Sequence, residues 1–117
     1  MTAAALTDAD GATVCANLTV ADRAPARMKG LLGRRELTVD EGLLLRPAGS
    51  VHTAFMRFPI DVVFLDRSLR VLDVRPEVGP WRVVARRGAS VVLELPAGRA
   101  EQRGIEPGTV LTLKQIL

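Results

Sequence analysis

The sequence predicts a mainly β, β-rich α+β domain: a compact barrel-like or rolled sheet of about seven short strands with two short helices. Three observations carry this expectation. The chain has 117 residues, room for one hydrophobic core and not for two, so residues 1–117 read as a single domain. Apolar residues make up 48% of it and aromatics only 3%, so the core must rest on Val, Leu, Ile and Ala, whose branched members fall in short runs suited to strands. Turn signals recur at close intervals, at Pro59, Asp66-Arg67-Ser68, Arg87-Gly88 and Pro107-Gly108, as in small all-β folds.

Residues 1–10 carry no apolar period and are expected to be flexible, leaving an ordered core over about 12–113. Residues 12–19 alternate, which places Val14, Ala16 and Leu18 inward on a strand. Asp22 can cap a short helix with Pro25 in its first turn; Ala24, Met28, Leu31 and Leu32 form its apolar stripe, and Gly33 stops it. Residues 42–45 read as a strand closed by Pro47. The segment 51–66, home of the only histidine, reads as two strands joined or bent at Pro59. Asp66-Arg67-Ser68 turns into a further strand at 71–74, and residues 76–80 read as loop. Residues 81–85 and 91–95 look like strands around the Arg87-Gly88 turn. Residues 97–103 can form two helical turns that end at Gly104, with Ile105 packing back in a Schellman motif. Pro107-Gly108 predicts a type II turn, followed by a strand at 109–113.

The net charge of +3 comes almost wholly from arginines, and these are scattered. Arg34-Arg35 and Arg86-Arg87 are pairs, not runs, and no aromatic residues interleave them, which argues against nucleic acid as the main partner. No window approaches the roughly 20 apolar residues that span a bilayer, and residues 1–8 have no positive region of the kind that opens a signal peptide. The single cysteine, Cys15, cannot form an internal disulfide. A cytoplasmic protein without membrane contact is the expectation, with a monomer as the default.

The common chemistries fail one by one. Cys15 and His52 could in principle pair as nucleophile and base, but Cys15 stands among small apolar residues of a strand, where cysteines are inert. One Cys and one His are too few for zinc, and Asp8-Ala9-Asp10-Gly11 opens like a calcium loop without the ligand series that would complete it. The glycines at 30 and 33 end a helix, the wrong end for phosphate. No metal, cofactor or catalytic residue is therefore assigned. In an extended strand His52, Ala54, Met56 and Phe58 would share one face, able to line a ligand site, with Arg57 on the other. Asp61 is expected to accept from backbone N–H groups at the Pro59 turn. Glu94 lies between Leu93 and Leu95, and a carboxylate there asks for a partner, with Arg34, Arg57 or Arg82 as the choices. The candidate ligand-binding residues are thus Arg34, His52, Met56, Arg57, Asp61 and Glu94.

With these residues in place, the chain resembles the bacterial and archaeal family called domain of unknown function 192 over residues 13–113. The carriers are Met28-Lys29-Gly30-Leu31-Leu32-Gly33-Arg34, Glu41-Gly42-Leu43-Leu44-Leu45, the whole segment 52–66, Val92-Leu93-Glu94-Leu95-Pro96-Ala97-Gly98, Gly104-Ile105 and Pro107-Gly108. It looks like the variant in which Met-Arg-Phe-Pro-Ile-Asp replaces a longer stretch before the proline. Where the family usually offers a glycine after Asp66, this chain has Ser68-Leu69. The resemblance implies a small β-barrel-like domain and carries no established activity, cofactor or catalytic residue. The function expected is a non-enzymatic module that binds a small molecule or a protein. The alternatives are an enzyme with His52 as general base oriented by Asp61 or Glu94, and weak nucleic-acid binding through scattered arginines.

Overall fold

Branched apolar runs separated by tight turns do fold into strands here. The computed structural model describes residues 2–22 and 36–115. In chain order these form β1 (Thr2–Thr7), β2 (Thr13–Ala21), β3 (Glu41–Leu45), β4 (Ser50–His52), β5 (Ile60–Leu65), β6 (Val71–Val78), β7 (Val83–Ala85), β8 (Val91–Pro96), α1 (Arg99–Gln102) and β9 (Thr112–Gln115). Seven strands make one sheet in the order β6-β5-β8-β3-β2-β1-β9, and β4 pairs with β7 in a separate ribbon. All pairs are antiparallel except β2 with β3. The helix expected over residues 24–33 lies outside the described residues. The described part has nine strands and one short helix, and that helix is neither long nor apolar enough to cross a membrane.

The sheet is not closed into a barrel. Its edge strands β6 and β9 do not pair along their length; the start of β6 meets only the segment before β9, at the bridge Arg70–Val110 and through Leu111 N–H to Leu69 O at 3.0 Å, Val71 N–H to Thr109 O at 2.8 Å and Gly108 N–H to Val71 O at 2.8 Å. The sheet nonetheless buries apolar side chains on both faces. One cluster gathers Leu6, Cys15, Leu18, Val20, Leu44, Val63, Leu93 and Leu95 with Ala100, Ile105 and Leu111. The other gathers Leu43, Leu45, Met56, Ile60, Val62, Phe64 and Val92, with Val51 and Val84 of the ribbon packed against it. Strands β5 and β8 belong to both, which is why they read as continuous apolar runs instead of alternating ones.

Several expectations are corrected. Residues 2–7 are a strand: β1 pairs with β2 on one side and β9 on the other, and Ala4 and Leu6 are fully buried. Two register shifts against β1 break the alternation of β2, so Val14 and Cys15, neighbours in sequence, both enter the same cluster. Strand β6 continues through Pro76, which the sequence suggested was loop. The ring is tolerated because β6 is an edge strand and Pro76 falls at a bulge, where Asp61 of β5 faces two residues of β6. Strands β7 and β8 do not pair with each other: β7 joins β4, while β8 lies between β5 and β3.

Other details are found as the residues suggest. Ile105 N–H bonds to Ala100 O at 2.9 Å and Gly104 N–H to Glu101 O at 3.1 Å, with Gly104 at φ 64°, the Schellman closure of α1. Thr109 N–H bonds to Glu106 O at 3.0 Å across Pro107 and a left-handed Gly108, a type II turn. After Asp66, Leu69 takes the left-handed conformation (φ 64°) that a glycine would adopt more easily, and Asp66 Oδ1 holds the turn by accepting from Ser68 N–H and Arg70 N–H.

Candidate binding surface

The two acids flagged by the sequence lie on opposite faces of the sheet. Asp61 pairs with Leu95, and Glu94 with Val62 and Leu43, which assigns Asp61 to the Ala100–Leu111 face and Glu94 to the Phe64–Val92 face. Asp61 is fully buried and its carboxylate is spent on backbone. Oδ1 accepts from Glu77 N–H and Oδ2 from Ala100 N–H, both at 2.9 Å. It does satisfy backbone donors as the sequence suggested, but those of the β6 bulge and the first turn of α1, not those of the Pro59 turn. Glu94 is buried too, and its Oε2 has no hydrogen-bond partner. Neither Arg57 nor Arg82 reaches it among the described residues, and Arg34 lies outside them. Burial alone pushes its carboxyl up to about 7.

The segment after His52 is where sequence and structure diverge most. The strand stops at His52, so His52, Ala54, Met56 and Phe58 do not share a strand face. Met56 turns into the core, His52 and Arg57 are exposed, and Thr53 is fully buried. Thr53 ties this turn to the loop before β7. Its hydroxyl donates to Gly79 O at 2.7 Å and accepts from Arg82 N–H at 2.8 Å, its own N–H reaches Arg82 O at 2.8 Å, and its carbonyl accepts from Trp81 N–H at 3.0 Å. Thr53→Val, which keeps the shape and removes the hydroxyl, is expected to cost about 2 kcal/mol in urea unfolding, because it leaves a buried donor and acceptor unpaired. The amides of Trp81 and Arg82 should exchange faster than those of the main sheet.

That tether presents two aromatic rings to solvent. Phe55 and Trp81 are 69% and 65% exposed, both have φ 64°, and their rings meet edge to face with centroids 4.6 Å apart. Left-handed backbone is rare for bulky side chains and costs of order 1–3 kcal/mol per residue. Two residues after Trp81, Val83 is 79% exposed and pairs with His52 across the ribbon. Arg57, two residues after Phe55, and Arg82, next to Trp81, are exposed, and neither guanidinium has an ion-pair or hydrogen-bond partner among the described residues. The ribbon is fastened to β6 by Arg75, which bonds Asp73 at 2.9 Å, reaches Ala85 O at 3.4 Å and lies over the Phe64 ring.

Cys15 forms no pair with His52. It sits in the other cluster, its thiol donating to Asp40 O at 3.3 Å, and burial pushes it up to about 11 against smaller lowering effects that include Arg99. In the folded protein at pH 8 it should react with a disulfide reagent orders of magnitude more slowly than a free thiol, and at the ordinary rate in urea. Fast native labelling would refute that. Arg99, which the sequence did not single out, is also buried, with its Nε unpartnered and Nη1 only 3.5 Å from Gln102 Oε1. The described residues hold no group of three or more His, Cys, Asp or Glu side chains able to bind a metal.

Several known proteins resemble this chain. A crystal structure of "a putative transcription regulator" from Sinorhizobium meliloti 1021 superposes with a TM-score of 0.82 at 23% identity, covering 96% of this chain and 92% of that one. A protein of unknown function from Novosphingobium aromaticivorans DSM 12444 gives 0.80 at 24% identity, covering 94% and 83%. Among curated sequences, a UPF0127 protein of Pyrococcus furiosus is 38% identical over 69 residues, 58% of this chain and 59% of the relative. One of Thermococcus sibiricus is 40% identical over 60 residues, 50% of this chain and 38% of the relative. The matched stretch thus spans less than two thirds of either relative's length. The model of the family DUF192, described as "Uncharacterized ACR", matches residues 5–113, and the chain belongs to that family.

Proposed function

We propose that this domain is a non-enzymatic docking module that binds an acidic protein segment on the knuckle formed by Phe55 and Trp81. The observation that carries the reading is the pair itself. Two large aromatic side chains are held in left-handed backbone and left in water, so they cost the fold stability without burying their rings. Exposed, rigid aromatics of this kind are what binding hot spots are made of. Val83 extends the apolar patch, and the unpaired Arg57 and Arg82 beside it favour a partner with carboxylates around an apolar anchor. A non-enzymatic role fits the placement of the acids: Asp61 is occupied by backbone on the far face of the sheet, and no hydrogen bond links His52 to either acid.

Selection from a displayed peptide library rich in Asp and Glu around aliphatic or aromatic residues tests this directly. Trp81 is the only tryptophan, so its emission should shift to the blue as selected peptides bind. Phe55→Ala and Arg82→Glu should each weaken binding about tenfold. Peptides that bind wild-type protein and a Phe55→Ala/Trp81→Ala double variant equally well would sink the proposal. So would a response to single-stranded oligonucleotides alone, falling steeply with salt, which would transfer the surface to nucleic acid.

A further inference from the structure

A concavity elsewhere in the described residues shares no lining residue with the knuckle. It is a groove of about 700 Å³ between the loop after β3, the β5–β6 turn and the start of β8. That volume is in the range of small-molecule sites. Pro47, Leu69 and Val91 supply apolar wall, and Arg46, Arg67 and Ser90 supply polar groups. Neither arginine side chain has an ion-pair or hydrogen-bond partner among the described residues, and the Ser90 hydroxyl has none either. Asp66, the acid next to Arg67 in sequence, is committed to its own turn through Ser68 N–H and Arg70 N–H. Asp22, which also lines the groove, has a partner of its own.

The walls are fixed before any ligand arrives. Arg46 N–H bonds to Ala21 O at 3.1 Å, Ala48 N–H to Ser90 O at 3.0 Å, Arg86 N–H to Gly49 O at 3.1 Å and Ser90 N–H to Leu65 O at 2.9 Å. Leu69, in left-handed backbone, is closed onto Asp66 O at 3.0 Å, which fixes the turn that carries Arg67. A preformed groove of this kind loses little entropy on binding. We propose that it binds a small organic anion, with a phosphate or carboxylate head held by Arg46, Arg67 and Ser90 and an apolar body against Pro47, Leu69 and Val91. Guanidinium groups and a hydroxyl suit either head group, because both present several acceptor oxygens in a fork or tripod.

The test is an amide NMR titration of the full chain with phenyl phosphate, benzoate, inorganic phosphate and phenol. The expected result is saturable shifts at Gly49, Leu69, Ser90 and Val91 with phenyl phosphate or benzoate, and the stronger of the two identifies the head group. Inorganic phosphate should bind more weakly, since it leaves the apolar wall empty. Arg67→Ala should weaken binding about tenfold, the loss of one charge-assisted bond. Trp81→Ala should bind as wild type does, which separates this site from the docking surface. Equal binding of phenol would overturn the anion assignment. Unchanged affinity in Arg67→Ala and in Arg46→Met/Arg67→Ala, or no saturable shift with either organic anion, would overturn the site. Arg67 is exposed on a turn, so the single variant carries the test even if the double variant unfolds.

Discussion

Replacing Glu94 with leucine is expected to stabilise this protein by about 3 kcal/mol more at pH 8 than at pH 4. Glu94 is 5% exposed and pairs with Val62 and Leu43 in mid-sheet, and burial raises its carboxyl from the ordinary 4.5 to about 7. The sign follows from where the proton is held more tightly. Between those two values the folded protein keeps a proton that the unfolded chain has released, so stability falls as pH rises through that window and levels off above it. At about 1.4 kcal/mol per unit, the loss between pH 4 and pH 8 is about 3 kcal/mol. Urea unfolding of wild type and Glu94→Leu across that range should give a stability gap that is smallest in acid and widens toward neutral pH. Parallel curves would mean that Glu94 is solvated or paired, and the account of it given above would fail. Glu94→Gln should remove the pH dependence and recover less of the stability, because its amide is still a buried polar group without partners. A carboxylic acid that opposes the fold at neutral pH has no stabilising reason to be there, which is why Glu94 remains a functional candidate as well as a structural cost.

How far the sequence could be read depended on how far apart the deciding residues lie. Features fixed within a few residues were legible. The Ala100–Ile105 closure and the Glu106–Thr109 turn need only a glycine at the correct place, and both form at the expected residues. The runs of β5 and β8 announced strands through branched residues, and their lack of alternation reflects burial on both faces. Features fixed at long range were not legible. Nothing local marks Phe55 or Trp81 for left-handed backbone; that follows from Thr53, whose bonds span 26 and 29 residues. The ribbon strands β4 and β7 are three residues each and gain their place by packing Val51 and Val84 on the sheet, too short a pattern to read. Pro76 argued for a loop because its sequence neighbours do not reveal that the strand lies at an edge. Glu94 was legible as an anomaly, a carboxylate among leucines. The partner that its neighbours demanded is missing among the described residues, and only the burial of both sheet faces explains why that matters.

Asp61→Ala is expected to destabilise the protein by roughly 3–5 kcal/mol, since a charged acceptor with two buried donors contributes about 1.5–3 kcal/mol per bond. The cost is high because Asp61 joins three elements. From β5 it caps the first turn of α1 through Ala100 N–H, and it fills the bulge of β6 through Glu77 N–H, where Glu77 itself is left-handed at φ 50°. Gly98, at the N-cap, offers no side chain, so the helix depends on this distant carboxylate for one of its free donors. Denaturant unfolding measures the total, and native-state hydrogen exchange locates it. Protection should be lost first at Glu77 and Ala100, while the amides of β2 and β3 stay protected. Asp61→Asn retains one acceptor oxygen and should lose about half as much, with either Glu77 or Ala100 keeping its protection and the other losing it. An alanine variant within about 1 kcal/mol of wild type would show that water replaces the carboxylate at both sites. It would also reopen the role of Asp61 in orienting a base, because the case against that role is that backbone already claims both of its oxygens.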